Sequence, residues 1–235
     1  LVLPSVLNDF FKTCEDYYGK YKNVSLTRIV KFFAFFISIL MPSVYISLIT
    51  YNQEMIPTEL LVNFATQRDG VPFPAFFEAI IMLLSFEILR ESDLRVPGFT
   101  GSSLSIVGAL ILGDAAVQAG IVSPIMIIVI AITAISSLPF SEPELINGLR
   151  WYRILFMIGA SMLGIVGVVI VFIYFIIELS SLNSFGKPYL IPYAPTYIVG
   201  LKNSLVKFPA KSLIKRRPYL SNNTIRKESE SNEKN

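Results

Sequence analysis

Asp114 and Gln118 are the polar residues best placed to do chemistry, because they interrupt the apolar stretch 104–120. An acidic residue at the centre of a membrane helix costs about 2.5–3.5 kcal/mol on insertion scales, so Asp114 should face protein or water. On a helix, successive residues turn by about 100°, which places the polar pair on one side and small residues on the other. The polar side comprises Ser103, Val107, Ile111, Asp114 and Gln118; the small-residue side comprises Ser105, Ala109, Gly113, Ala116 and Gly120.

The two sides of this helix predict two different contacts. Small residues let membrane helices approach closely, so that side should pack on protein. In a ring of identical subunits, one Asp114 per subunit would make a ring of carboxylates, and such rings select cations. Val107 and Ile111 would add apolar rings that can gate a pore by dewetting. The alternative is that Asp114 and Gln118 hydrogen-bond between helices of one subunit, and the spacing alone leaves both interpretations open.

Two further acids, Glu78 and Glu87, lie in the apolar stretch 75–90. Nine residues separate them, which places them on opposite sides of a helix, so they cannot form a paired acid/base dyad. Each carboxylate therefore needs its own polar partner. We expect a short helix that is packed between other segments, re-enters the membrane or lies amphipathically in the interface. Arg90 could pair locally with Glu87.

The composition indicates an integral membrane protein and excludes a soluble enzyme. Of 235 residues, 53% are hydrophobic and 16% are charged, whereas soluble domains carry about a quarter charged residues. There is no histidine and a single cysteine, Cys14. The chain therefore cannot form an internal disulfide, a His-dependent triad or the usual zinc, haem and iron–sulfur ligand sets. We expect no catalytic residues, no metal and no cofactor.

The predicted fold class is an all-α polytopic membrane protein. About four apolar stretches approach the length of a membrane helix, and one shorter helix accompanies them. The predicted spans are 29–50, 104–120, 125–140 and 154–177, with the short helix at 75–90. Ser123 and Pro124 predict the start of the third span, as N-cap and first helical residue. The last span carries small residues of its own, Ala160, Gly164 and Gly167.

The distribution of charge predicts that both termini are cytoplasmic. Residues 183–235 hold ten Lys or Arg against three Asp or Glu, whereas 51–103 hold seven acids against three bases. Lysine and arginine mark the cytoplasmic side of membrane helices, so the number of crossings should be even. The predicted organisation is a cytosolic lead-in at 1–28, a membrane domain at 29–182 and a basic tail at 183–235 that is disordered at its end. The basic tail should attract anionic membrane lipid, and nothing in it predicts nucleic-acid binding.

Several strings resemble the A-subunit family of spore germinant receptors, the GerA type of endospore-forming bacteria. In order, they are EDYY (15–18), RIVKFFAFF (28–36), MPSVYISL (41–48), QEMIPTELL (53–61), DGVPFP (69–74), FEILRES (86–92), SIVGALILGDAAVQAGIVSP (105–124) and SFGKPYL…AP (184–195). Family members usually carry a large cytosolic N-terminal region, so the resemblance implies a partial chain that covers the membrane domain.

The resemblance implies a subunit in the spore inner membrane or the bacterial plasma membrane. In this family the A subunit works with a transporter-like B subunit and a lipoprotein C subunit. Its copies are expected to form rings, with pentamers as the expected size, that conduct ions during germination. The resemblance, together with the two-sided helix 104–120, therefore implies a nutrient-gated cation channel. A non-conducting scaffold subunit and a secondary transporter are the alternatives.

Overall fold

A computed structural model describes residues 6–13, 16, 18–95, 108, 111–140, 143–196, 201 and 204–208. The described part is mostly helical, as predicted, with one short β-hairpin after the last helix. The helices are α1 (Leu7–Phe10), α2 (Tyr21–Thr50), α3 (Thr58–Arg68), α4 (Ala75–Arg95), α5 (111–118), α6 (Pro124–Ser137), α7 (Pro143–Leu163) and α8 (Ile165–Ser181). A 3₁₀ turn covers Gln53–Met55, and the hairpin pairs Asn183–Ser184 antiparallel with Lys187–Pro188.

Helix α2 has the length and composition of a membrane span. Its 30 residues extend about 45 Å, and a bilayer core needs about 20 residues. Among the described residues it is the single helix that passes this test, while α6 and α8 are apolar but shorter. The helix begins eight residues before the predicted span 29–50, because the basic and polar residues of its first two turns continue the same helix.

The predicted continuous helix 154–177 is wrong, because two helices occupy this stretch. Helix α7 ends at Leu163, Gly164 adopts a φ of +62°, and α8 begins at Ile165. A left-handed backbone of this kind favours glycine. The two helices return along each other, since a Cβ on Gly167 would overlap the backbone of Gly159. Hydropathy remains high across the break, so an apolar run alone could not reveal it.

Helix α4 is longer than the predicted 75–90, since it continues to Arg95. The start of α6 agrees with the prediction, with Ser123 as N-cap and Pro124 as first helical residue. Pro124 fits this position because its missing N–H would have no partner in the first turn of a helix.

The backbone divides into two compact units. The terminal unit comprises residues 1–35, 139–146 and 173–235, and the central unit comprises residues 36–138 and 147–172.

In the terminal unit, segments from both ends of the chain pack together. Phe11, Phe35 and Phe140 form an aromatic cluster with ring centroids 5.6–6.2 Å apart. Arg28 of α2 donates from Nε to the buried Asp16 carboxylate at 2.8 Å and from Nη1 to the backbone carbonyl of Ser204 at 3.3 Å. The beginning of the predicted tail 183–235 is therefore an ordered part of this unit, while residues 209–235 lie outside the described residues.

A hydrogen-bond chain continues this network in the terminal unit. The Ser204 hydroxyl donates to Asn8 Oδ1 at 2.6 Å and lies 2.5 Å from the Tyr193 hydroxyl. Burial raises the pKa of Tyr193, and the hydrogen bond with Ser204 opposes that shift. Buried polar groups of this kind are stable only when they are paired, so the network holds the tail in one position.

In the central unit, α2 and α7 run in the same direction and α8 runs back. Near one end, Arg153 Nε of α7 donates to the backbone carbonyl of Ser38 in α2 at 2.8 Å. Near the other end, Asn52, which follows α2, accepts a hydrogen bond from the Ile165 amide at 3.0 Å. Asn52 thereby satisfies a free amide at the start of α8, and this cap makes the break at Gly164 stable.

The other helices of the central unit also alternate in direction. Glu78, near the start of α4, lies beside Tyr45 of α2. Helix α5 runs against α4, because Gly108 lies next to Leu89, and Gly120 lies next to Gly70 before α4 begins. Helix α6 then starts beside Glu78 again, through Ser123. The order α2, α4, α5, α6, α7, α8 is therefore a series of antiparallel neighbours in sequence.

Candidate functional site

Glu78 is fully buried in the central unit and both of its carboxylate oxygens are paired. Arg68 donates from Nη2 to Oε1 at 2.9 Å. The backbone amide and the hydroxyl of Ser123 donate to Oε2 at 2.9 and 2.8 Å. The carboxylate thus holds together the end of α3, the start of α4 and the start of α6, and the prediction that Glu78 needs its own polar partners is confirmed.

The side chain of Ser123, the N-cap residue of α6, hydrogen-bonds to Glu78 and not to its own helix. An N-cap serine normally accepts a hydrogen bond from the first turn of the helix. The Ser123 side chain makes no such bond, and its hydroxyl donates to Glu78. The carboxylate thus lies at the N-terminus of α6, where its negative charge is favourable with respect to the helix dipole.

Glu87 lies two and a half turns further along α4 and has a different environment. It forms an ion pair with Arg150 of α7, and its side chain is 18% exposed against 34% for Arg150. Arg90 and Arg153 lie within electrostatic range of the same pair. Glu87 therefore finds its partner on another helix, and the local pairing with Arg90 is not the main contact.

A cavity of about 540 Å³ lies beside this second cluster, between α4 and α7. One part of its wall is charged and the other part is aliphatic. The charged part consists of Glu87, Glu91, Arg150 and Arg153, and the aliphatic part of Ile80, Leu83, Leu84, Ile88, Ile154 and Met157. A volume of this size accommodates a small organic ligand.

Helix α5 (111–118) is the part of the predicted helix 104–120 that the structure describes as continuous helix. Asp114 and Gln118 are exposed, and Gln118 Nε2 donates to Asp114 Oδ2 at 2.8 Å within the helix. Ile111 is also exposed, at 62%. On the other side, Gly113 is buried, and a Cβ there would lie 3.6 Å from Ile127 of α6.

The remaining predicted residues of this helix have less defined positions. Ala116 and Gly120 are half-buried. Ser103, Ser105, Val107 and Ala109 lie outside the described residues, so their predicted roles stay predictions. Across the part of the chain that the structure describes, no three acidic or cysteine side chains lie close enough together to hold a metal ion.

Sequence reasoning missed the partners of the two α4 carboxylates and the residue that caps α8. Arg68 lies in a polar segment, Arg150 beside an aromatic membrane anchor, and Asn52 after a helix end. Each is an ordinary residue for its position, so its type carries no signal. The one usable signal in the sequence is that the carboxylates of Glu78 and Glu87, in an apolar helix, require cationic partners. Which arginines serve as those partners depends on proximity in the folded chain.

The sequence profile described as "Bacillus/Clostridium GerA spore germination protein" matches residues 1–219. The chain belongs to the GerA spore germination protein family. Its relatives include spore germination protein KA of Bacillus subtilis, 45% identical over 209 residues that make up 89% of this chain and 38% of the relative. Spore germination protein GerLA of Bacillus cereus is 36% identical over 229 residues, or 96% of this chain and 46% of the relative.

A further relative bears a name that refers to the membrane. This is a B. subtilis protein named "Uncharacterized membrane protein YfkQ", 37% identical over 213 residues, or 91% of this chain and 42% of the relative. The chain thus spans less than half the length of these relatives. No solved structure matches it.

Proposed function

We propose that this chain is the membrane-embedded part of a germinant receptor A subunit whose copies assemble into a ring that conducts cations during spore germination. The observation that carries the proposal is the two-sided packing of α5. Asp114, Gln118 and Ile111 are exposed in the single chain, while Gly113 on the opposite side packs against α6. A helix of this kind can present its polar side to an aqueous axis shared by several copies.

In such a ring the carboxylate of Asp114 supplies the selectivity. One negative charge per subunit attracts cations and repels anions at close range in a narrow, partly dehydrated pore. The amide of Gln118 donates to that carboxylate and holds it in one rotamer. Ile111 and Val107 lie one and two turns before Asp114 and supply apolar rings that close the pore by dewetting. A nutrient signal would open it by stabilising the wetted state.

The alternating helices support six crossings in place of the predicted four. Helices α2, α4, α5, α6, α7 and α8 reverse direction in turn within the central unit. Six is an even number, so both termini remain cytoplasmic, in agreement with the basic residues near them. The turn 121–123 then lies on the outer side, where its lack of positive charge is unremarkable. Helix α4 crosses the membrane because its two carboxylates are paired with arginines.

The proposal includes the partners that the family implies. A transporter-like B subunit would sense the nutrient, and a lipoprotein C subunit would complete the receptor in the spore inner membrane. We propose no enzymatic activity and no cofactor for this chain.

The test is an ion-flux measurement on the full chain reconstituted in liposomes, comparing the wild type with Asp114→Asn. We expect the wild type to pass cations in preference to anions and the variant to lose most of that preference, because the ring of charges is removed. Asp69→Asn is the matched control, since it removes one exposed carboxylate outside α5 and should leave the preference unchanged. An Asp114→Asn variant with the wild-type preference would contradict the proposed selectivity site.

A non-conducting scaffold is the second candidate, and the Gln118–Asp114 hydrogen bond favours it. The bond satisfies part of the polar pair within one helix, without a pore. The oligomeric size of the purified chain separates the two functions, because a channel requires a ring and a scaffold does not. A stable monomer without flux would support the scaffold.

The break at Gly164 is a feature that secondary transporters share, since their substrate sites use the ends of discontinuous helices. Here Asn52 occupies the start of α8, so that helix end is not free for a substrate. Uptake of a labelled solute that saturates with concentration would favour a transporter over a channel.

A further inference from the structure

The cavity between α4 and α7 lies in a cluster of charged side chains. Arg150 and Arg153 line it together with Glu87 and Glu91, and Arg90 lies outside the lining but within electrostatic range of the group. Among the described side chains, three guanidinium groups and two carboxylates thus make up the cluster. The excess is one positive charge in a largely apolar surrounding, where an uncompensated charge is costly.

One of these arginines retains an unused buried donor. Arg153 is 4% exposed, and its Nε donates to Ser38. The buried Nε of Arg150, by contrast, has no hydrogen-bond partner among the described residues. Native proteins leave few buried donors unpaired, so this group indicates a bound acceptor.

A small hydrophilic anion would occupy only the charged end of the cavity and would leave its aliphatic wall uncovered. Its aliphatic wall extends along α4 and α7 from the charged end, through residues such as Leu83, Leu84 and Met157. Leu84 and Ile88 are 60% and 59% exposed, so the wall is open at the protein surface. An occupant that satisfies both parts has an anionic head and a hydrocarbon chain.

We propose that this cavity binds one anionic phospholipid of the cytoplasmic leaflet, with its phosphate on Arg150 and Arg153 and an acyl chain along the aliphatic wall. The leaflet follows from the proposed six crossings, in which α7 begins on the cytoplasmic side and carries Arg150 in its first half. Trp151, which is 72% exposed next to Arg150, is a residue type that anchors at the membrane interface. This inference rests on the proposed membrane location, but it does not require conduction.

The test is native mass spectrometry of the full chain, purified in detergent and supplied with phosphatidylglycerol or phosphatidylcholine carrying the same acyl chains. We expect the wild type to retain one phosphatidylglycerol in preference to phosphatidylcholine. Arg150→Gln should reduce that preference by about fivefold, the effect of one basic residue near an anionic headgroup. Leu84→Trp should reduce retention of the lipid by filling the apolar part, with all the charges left in place.

Lys22→Gln is the control, because Lys22 is an exposed basic residue of α2 outside the cavity. Its preference should equal that of the wild type. An equal loss in Lys22→Gln and Arg150→Gln would show general surface attraction and overturn the site. Displacement of the lipid by glycerol 1-phosphate would show that a free phosphate suffices, and retention of both lipids alike would show that no anionic site exists; either result overturns the proposal.

The flux measurement on the same preparation separates this inference from the proposed function. Flux without a lipid preference contradicts only the lipid site. Lipid retention without flux contradicts only the channel.

Discussion

Helix α4 carries two carboxylates in different surroundings, the buried Glu78 near its start and the partly exposed Glu87 further along. At Glu78 every carboxylate oxygen has a donor, the cation is matched one to one, and no part of the described cavity reaches the site. At Glu87 the described cations, with Arg90 included, outnumber the acids, the buried Nε of Arg150 has no partner among the described residues, and a cavity adjoins the cluster. A fully satisfied buried charge fixes the positions of helices. An incompletely satisfied one beside a cavity is the arrangement expected of a binding site.

The largest expected effect is that of removing the Glu78 carboxylate. Glu78→Ala leaves Arg68 without its buried partner and two Ser123 donors unpaired, so the free energy of unfolding should fall by about 3–5 kcal/mol. Denaturant unfolding in detergent measures the change. Glu78→Gln is the matched variant: it keeps one acceptor of the same size and should cost less than Glu78→Ala. Equal stability of Glu78→Ala and the wild type would remove the structural role assigned to this end.

A smaller effect is expected when the spacing between α7 and α8 is changed without changing a charge. In Gly167→Ala the new methyl group meets the backbone of Gly159, so the two helices must move apart, at a cost of about 1–3 kcal/mol. Because α7 forms one wall of the cavity, the retained phospholipid should also decrease, whereas the Glu78 cluster should be unaffected. Gly148→Ala is the control on the facing helix α7, since a Cβ there meets no atom within 4 Å. Lost stability in the control as well would point to a general intolerance of α7 to substitution.

The smallest expected effect on stability is that of Arg150→Gln. The ion pair with Glu87 is partly exposed on both sides, and pairs of this kind contribute about 1 kcal/mol or less. The loss of stability should therefore be several times smaller than that of Glu78→Ala, while the loss of lipid preference should be clear. Paired unfolding and lipid-retention measurements on the same preparations provide the comparison. If Arg150→Gln destabilised the protein as much as Glu78→Ala, the two ends of α4 would not differ as described.

Part of this arrangement could be predicted from residue spacing. The nine-position spacing of Glu78 and Glu87 places them on different sides of one helix, because the angle per residue is set by the backbone. The same reasoning separates Asp114 from Gly113, and the structure has the first exposed and the second buried. Ser123 followed by Pro124 correctly predicted a helix start. The predicted helix start is confirmed because it depends on local geometry, which neighbouring segments rarely change.

The remaining features depend on contacts between residues far apart in the chain. The amino-acid sequence by itself determined an apolar, helical chain with acids that require partners and with most basic charge near its ends. Only the tertiary structure decided that Arg68 and Arg150 are those partners, and that the run 154–177 turns back at Gly164. The physical reason is that hydropathy reports only the preference of each residue for an apolar environment. A helix break is stable when another group hydrogen-bonds to the backbone amides that the break leaves unpaired. Here the group that accepts from the Ile165 amide is the side chain of Asn52, more than one hundred residues earlier.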